Sequence, residues 1–154
     1  MDTVPTIVIV DDEKILRKLV AAALKQCDFE VLEASSARQA VQAASRCPNG
    51  VDLLLTELTL PRGNGLDLCR KLEAVAPGLK AVFLSRAPHA ERLEEALRAE
   101  GRTVLREPFT MPALLDAVTQ ELGLPSGFRK PPSRAETLRR ETAGSRAANG
   151  SVAE

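Results

Sequence analysis

The chain has 154 residues, of which 44% are hydrophobic and only 3% aromatic, and its 21 basic side chains balance 21 acidic ones. This length is sufficient for one domain with a substantial core, and overall neutrality argues against a nucleic-acid-binding or membrane protein. The three cysteines, Cys27, Cys47 and Cys69, are widely spaced without a C-x-x-C pair, which is typical of reduced thiols in a cytoplasmic protein. Because the sequence shows neither a signal peptide nor an apolar run of membrane-spanning length, we expect a soluble cytoplasmic protein.

Strand and helix patterns alternate five times along the chain. The first strand is the β-branched run at 6–10, and apolar residues at helical spacing follow from Lys14. Later strands are predicted at 29–32, 53–57, 81–84 and 103–105, and later helices at 36–46, 66–74, 89–100 and 110–122. Strict alternation predicts an α/β fold in which a doubly wound parallel sheet carries helices on both faces.

The apolar positions of each predicted helix are expected to face the core. In the first, third and fourth helices these positions include Leu19, Val75 and Leu93. The charged residues of the fourth helix read by default as a solvated face: Glu91, Arg92, Glu94, Glu95 and Arg98.

The chain is predicted to divide into a folded domain at 1–124 and a basic tail at 125–154. The tail carries six Arg or Lys against three Glu, so it is net +3 and the remainder net −3. Few large apolar residues and the Pro131-Pro132 pair predict that the tail is mostly disordered, because it cannot offset its ordering entropy. A linker role is the default interpretation, with partner docking and nucleic-acid contact as alternatives.

Acidic residues follow the first, third and fifth predicted strands. Asp11 and Asp12 end the first strand, Glu57 the third and Glu107 the fifth. In open parallel sheets ligands bind beyond the carboxyl ends of strands, so these acids are expected to share one pocket. Clustered carboxylates suit a hard divalent ion such as Mg²⁺. Ser85, which ends the fourth strand, offers a hydroxyl to the same rim.

Four segments together resemble the response-regulator receiver domain of two-component signalling over residues 5 to 122. They are VIVDDE within 7–13, DLLLTELTLPRGNG at 52–65, FLSRA at 83–87 and LREPF at 105–109. The resemblance implies a flavodoxin-like (βα)5 fold with a five-stranded parallel sheet in the order 2-1-3-4-5. It also implies a signalling role rather than an enzyme.

The resemblance assigns roles to five positions. Asp11 and Asp12 match the acid pair that holds Mg²⁺, and Thr59 matches the residue whose backbone carbonyl joins the coordination. Ser85 matches the hydroxyl that contacts the phosphoryl group. Val104 occupies the position of the aromatic switch residue, so the usual coupling between hydroxyl and aromatic ring is missing.

Two further positions depart from the family pattern. The phosphoacceptor Asp is replaced by Glu57, and the Lys before the final-loop proline is replaced by Glu107. Glutamate moves its carboxylate outward by roughly 1–1.5 Å, a displacement that can cost about 100-fold in a reaction needing in-line positioning. A carboxylate in place of the Lys opposes, rather than neutralises, charge on a transferred phosphoryl group. We therefore expect a degenerate receiver in which Glu57 stands in for phosphorylated aspartate.

Four clustered acids without the Lys need another source of charge balance. Either a cation binds, or an acid has a raised pKa, or an arginine replaces the Lys. Arg86, directly after Ser85, is the nearest candidate in sequence and Arg62 the second, whereas Arg106 is expected to point outward. The hypothesis is a Glu57–Arg86 pair that fixes the loop after the fourth strand.

These features predict a stand-alone receiver-like module that binds a protein partner without phosphorylation. The partner would be a histidine kinase or a downstream signalling protein, and the expected contact surface is the fourth helix, fifth strand and fifth helix. A working phosphorelay receiver is the first alternative, and nucleic-acid contact through the tail is the second. Flavin binding is disfavoured because the loops after the strands are acidic.

Overall fold

A computed structural model describes residues 4–86, 88, 90–125, 139 and 142. Five parallel strands form its main sheet: β1 (Thr6–Val10), β2 (Glu30–Ala34), β3 (Leu53–Glu57), β4 (Lys80–Ser85) and β5 (Thr103–Arg106). Five helices alternate with them: α1 (Lys14–Gln26), α2 (Ala37–Ser45), α3 (Gly65–Val75), α4 (Glu91–Ala99) and α5 (Met111–Glu121).

The sheet has the predicted order. Its strands lie side by side as β2-β1-β3-β4-β5, and every pairing between them is parallel. A two-stranded antiparallel hairpin, Thr59–Leu60 with Gly63–Asn64, is inserted between β3 and α3 and was not predicted. The hairpin lies outside the main sheet, so the prediction of a flavodoxin-like α/β fold is confirmed.

The strands bury both of their faces, as their continuous apolar sequences predict. Alternate residues of each strand pack into two separate apolar clusters, one against α2, α3 and α4 and the other against α1 and α5. Phe83 of β4 belongs to the first cluster and its neighbours Val82 and Leu84 to the second. This alternation decides on which side of the sheet each residue at a strand end lies.

Side-chain caps fix where three helices begin. Ser36, Asn64 and Thr110 each accept a hydrogen bond from a backbone N–H one turn ahead, at 3.2, 2.8 and 3.2 Å respectively. The Asn64 cap ends the hairpin and starts α3 at Gly65, which lies against the acidic end of β3.

Three large apolar residues expected in the core are exposed. Leu19, Val75 and Leu93 are 57%, 81% and 43% exposed. In α1 the buried residues are Val20, Ala21 and Leu24, so the helix turns Leu19 outward beside the exposed Ile15. Apolar spacing alone left the rotation of the helix uncertain by one position, and packing against the sheet decided it.

The predicted tail lies almost entirely outside the described residues. Arg139 and Thr142 are the residues beyond 125 that the structure describes, so the predicted disorder and the boundary at 124 stay predictions. Among the helices that the structure does describe, none has the length and apolar character needed to cross a bilayer.

Candidate functional site

The register of the sheet brings the predicted acids together. Val10 of β1 pairs with Thr56 of β3, so Asp11 and Glu57 follow as neighbours at the carboxyl edge of the sheet. Both side chains are buried, with residue exposures of 1% and 2%. Glu107 reaches the same place because its backbone N–H donates to the carbonyl of Ser85 at 2.8 Å.

One arginine lies in the middle of these acids. Arg86 Nη2 is 3.1 Å from Asp11 Oδ1 and 3.4 Å from Glu57 Oε1, and its Nε is 3.3 Å from Glu107 Oε2. Its other contacts are Asp12, at 3.8 Å, and Glu13. We call this group the Arg86 cluster; its members are Asp11, Asp12, Glu13, Glu57, Arg86 and Glu107.

The surroundings of Glu57 favour its neutral form. Burial raises the pKa of Glu57 to about 9, and Glu107 and Asp11 add to the rise, while Arg86 opposes it. The raised pKa disfavours the ionised carboxylate, so the 3.4 Å contact between Arg86 Nη2 and Glu57 Oε1 pairs a guanidinium with a carboxyl group whose charge is opposed by burial. The expectation that Glu57 stands in for a phosphorylated aspartate stays a prediction.

Asp11 is buried but better supplied with donors. Burial raises the pKa of Asp11, while the backbone N–H of Glu13 and the Arg86 guanidinium counteract it. The Glu13 N–H donates to Asp11 Oδ1 at 2.8 Å, and Arg17 donates to the Asp11 carbonyl. By contrast, Glu57 Oε1 and Glu107 Oε1 are buried and accept no hydrogen bond from the described residues.

Backbone contacts set the position of Glu57. The Leu58 N–H donates to the carbonyl of Leu84, and the Gly65 N–H donates to the carbonyl of Leu58. A Cβ on Gly65 would lie 2.3 Å from the carbonyl oxygen of Glu57, so only glycine allows α3 to begin this close to β3. Thr59 follows at the exposed start of the hairpin.

The Ser85 hydroxyl is engaged away from the Arg86 cluster. Ser85 Oγ donates to Glu94 Oε1 of α4 at 2.5 Å, and both residues are buried. The assignment of Glu94 to a solvated face is therefore wrong. A sequence signal existed, because Glu94 lies three residues before Leu97, which is buried in the core.

The remaining predicted positions lie apart from the pocket. Val104 packs into the apolar cluster under α2, α3 and α4, and Arg62 lines a surface groove between α2 and α3. Arg106 is about half exposed, as its strand position predicted, and it pairs with Glu91. The Glu107–Pro108 peptide bond is cis.

The pocket as arranged does not fit Mg²⁺. A magnesium site in a protein needs one or two carboxylates together with waters in near-octahedral geometry. The oxygens of Asp11, Asp12 and Glu57 that would supply this ligation converge on Arg86, and a protonated carboxyl group is a poor ligand. Within the described part of the chain, no group of three or more His, Cys, Asp or Glu side chains is arranged to hold a metal ion. A divalent ion would have to displace the guanidinium.

Comparisons with known proteins identify the family. The family model described as "Response regulator receiver domain" matches residues 7–119. The "Probable transcriptional regulatory protein TcrX" of Mycobacterium tuberculosis is 30% identical over 106 residues, 69% of this chain and 44% of that protein. The "Phosphate regulon transcriptional regulatory protein PhoB" of Pseudomonas aeruginosa is 30% identical over 124 residues, 77% of this chain and 53% of that protein.

A solved structure shows the same fold. The crystal structure of a response regulator receiver domain protein from Clostridium thermocellum superposes with a TM-score of 0.69 at 24% identity, covering 78% of this chain and 95% of that one. The present chain spans about half the length of the two regulators above. The chain therefore belongs to the response regulator receiver domain family of two-component signalling.

Proposed function

We propose that this receiver acts as a protein-binding signalling module that neither accepts phosphate nor needs Mg²⁺. The observation that carries the proposal is the position of Arg86, whose guanidinium lies among the carboxylates where the family's cations would act. An internal cation of this kind balances the pocket permanently, so its charge does not depend on a bound metal ion.

The state of Glu57 supports the same proposal. A nucleophilic carboxylate must be ionised and accessible, and Glu57 is 2% exposed with a pKa raised by burial to about 9. Glu107, in the position of the family's Lys, adds negative charge where a phosphoryl group would need positive charge. Both features oppose phosphoryl transfer to this residue.

The partner would be a histidine kinase or a downstream signalling protein, met through α4, β5 and α5. This surface presents Arg98 and Arg106, each about half exposed, together with the exposed Leu93. A second apolar patch, Ile15 and Leu19 on α1, offers a competing contact. Free thiols at all three cysteines, which lie in the described residues, agree with a reducing cytoplasmic setting.

Intact-mass measurement after incubation with acetyl phosphate and MgCl₂ tests the proposal. We expect no added phosphoryl group, in contrast to a receiver with the usual Asp and Lys treated in parallel. The matched variant is Glu57→Asp with Glu107→Lys, which restores both family residues. Phosphate on the native chain that disappears in Glu57→Gln would identify a working phosphoacceptor and refute the proposal.

Capture experiments separate the two candidate surfaces. Leu93→Glu changes the α4–β5–α5 surface and Ile15→Glu changes the α1 patch, and the two side chains are 43% and 74% exposed. If the proposed surface is correct, Leu93→Glu abolishes capture of a kinase or regulator and Ile15→Glu does not. The reverse result would move the contact to α1.

A further inference from the structure

The contact between Ser85 and Glu94 joins the end of β4 to α4 in the protein interior. The two residues are 1% and 2% exposed, and the hydroxyl donates to Glu94 Oε1 at 2.5 Å. A serine hydroxyl has one proton to donate. Since Glu94 accepts the hydrogen bond that this proton makes, the hydroxyl does not donate to any group in the Arg86 cluster.

The second oxygen of Glu94 faces two arginines. Arg98 Nη1 lies 3.7 Å and Arg106 Nη1 4.0 Å from Glu94 Oε2. Glu94 therefore contacts positive or donor groups from β4, α4 and β5. Burying a carboxyl group is costly unless such partners are present, so breaking any of these contacts is disfavoured.

The same arginines connect this buried group to the protein surface. Arg106 Nη2 is 3.0 Å from Glu91 Oε1, and Arg98 Nη2 donates to the carbonyl of Val104 at 3.3 Å. We call Ser85, Glu94, Arg98 and Arg106 the Glu94 network. It ties α4 to β5 along the surface assigned above to partner binding.

The Glu94 network and the Arg86 cluster start from adjacent residues but lie on different sides of the strand. Ser85 continues the alternation of Ala81 and Phe83, whose side chains pack toward α2, α3 and α4. Arg86 instead reaches back to the acids after β1 and β3. Among the described residues, no hydrogen bond or ion pair joins Glu94 to Glu57.

We propose that Glu94 is a positioning residue that holds the α4–β5 surface in one arrangement and isolates it from changes at the Glu57 side chain. This inference rests on the proposed function, because it concerns the surface that would meet the partner. It goes further by assigning the fixed state to Glu94, a residue with no role in the phosphoacceptor pocket. Glu94 accepts the hydrogen bond of the Ser85 hydroxyl, which is then not available to groups in that pocket.

Amide shifts of the full chain in NMR spectra test this isolation. The perturbation is Glu57→Gln, introduced into the native chain, into Glu94→Met and into Glu94→Gln. Methionine fills similar space without an acceptor for Ser85, whereas glutamine keeps a carbonyl acceptor. We expect Glu57→Gln to shift the amides of α4 and β5 in the Glu94→Met background only, and to shift amides near Asp11 in all three.

If Glu94 had only a structural role, Glu94→Met would lower stability, but Glu57→Gln would shift the α4 and β5 amides by the same amount in every background. Shifts of α4 and β5 in the native background as large as those in Glu94→Met would overturn the proposal, as would their absence in Glu94→Met. These NMR comparisons use no phosphodonor, so a result that refutes the role of Glu94 is distinct from one that refutes the proposed function.

A second measurement applies if Glu94→Met does not fold. Ser85→Ala removes the hydroxyl and keeps Glu94 and both arginines, while Ser85→Thr keeps a hydroxyl. We expect amide hydrogen exchange in α4 to quicken about 5-fold in Ser85→Ala, the effect of losing one net hydrogen bond, and to stay unchanged in Ser85→Thr. Equal exchange rates in Ser85→Ala and the native chain would refute the anchoring role of this contact.

Discussion

Glu57 and Glu94 are equally buried, at 2% exposure each, but different surroundings accommodate them. Glu57 lies among other acids and has an oxygen without a hydrogen bond from the described residues, and its pKa is raised to about 9. Glu94 has a serine hydroxyl on one oxygen and two arginines near the other. Burial of Glu57 favours its protonated form. Burial of Glu94 is instead offset by the hydrogen bond from Ser85 and by the two arginines.

A buried glutamate therefore does not by itself indicate a reactive site or a stabilising contact. What decides its effect is whether its neighbours donate or repel. Removing the carboxyl group should therefore be neutral or favourable at Glu57 and harmful at Glu94, and mutations at the two sites test this difference.

The largest effect is expected for Glu94→Ala. This change leaves a cavity, deprives the buried Ser85 hydroxyl of its acceptor and frees two arginines, so we expect a loss of about 3 kcal/mol in the free energy of unfolding. Urea denaturation at neutral pH measures it. Glu95→Ala, on the exposed side of the same helix, is the control and should change stability by less than about 0.5 kcal/mol. Similar small losses for both variants would contradict the assigned role.

The next effect is a pH dependence of stability that comes from Glu57. Between the unfolded pKa of 4.5 and the folded pKa of about 9, the unfolded chain releases this proton and the folded chain keeps it. Stability therefore falls as pH rises through this window. Relative to Glu57→Gln, we expect the native chain to lose about 2 kcal/mol between pH 5 and pH 9, less than full linkage because local opening relieves the buried charge.

Urea denaturation of both proteins at pH 5, 7 and 9 provides the test. Taking the difference between them removes the titration of all groups that they share. Parallel stability curves would show that Glu57 is ionised in the folded chain at neutral pH.

Sequence alone predicted the gathering of acids around Arg86 for a physical reason. Asp11, Glu57 and Glu107 each follow a strand, and parallel strands end at a common edge. Arg86 directly follows the fourth strand, so its place near them depended on chain order rather than on side-chain packing.

The role of Glu94 could not be predicted in the same way. A helix in sequence has an uncertain rotation, and a charged residue beside apolar positions reads as exposed unless its partners are known. Two of its partners come from β4 and β5, and their positions depend on the pairing of Ser85 with Arg106. The same uncertainty in rotation explains the wrong placement of Leu19. The raised pKa of Glu57 could not be predicted without the distances between the side chains. The sequence left a raised pKa, an arginine and a metal ion as alternatives.

Arg86→Met should convert the cluster into a pocket that responds to divalent ions. Without the guanidinium, the acids repel one another, and we expect a loss of about 1.5 kcal/mol at low salt. Millimolar MgCl₂ should raise the melting temperature of the variant and leave that of the native chain unchanged, because binding to the folded state alone stabilises it. Arg62→Met, in an exposed loop, is the control. An equal response of the native chain to MgCl₂ would show that the ion binds despite Arg86.

The smallest effect comes from making the same substitution at both sites. Glutamine keeps the shape of glutamate and removes its charge, so at neutral pH Glu57→Gln should be neutral or slightly stabilising. Glu94→Gln keeps an acceptor for Ser85 but loses its attraction to Arg98 and Arg106, so we expect it to cost about 1 kcal/mol. Thermal unfolding of the two variants at neutral pH compares them directly. The expected contrast is a loss of stability in Glu94→Gln without a loss in Glu57→Gln, and two losses of equal size would contradict it.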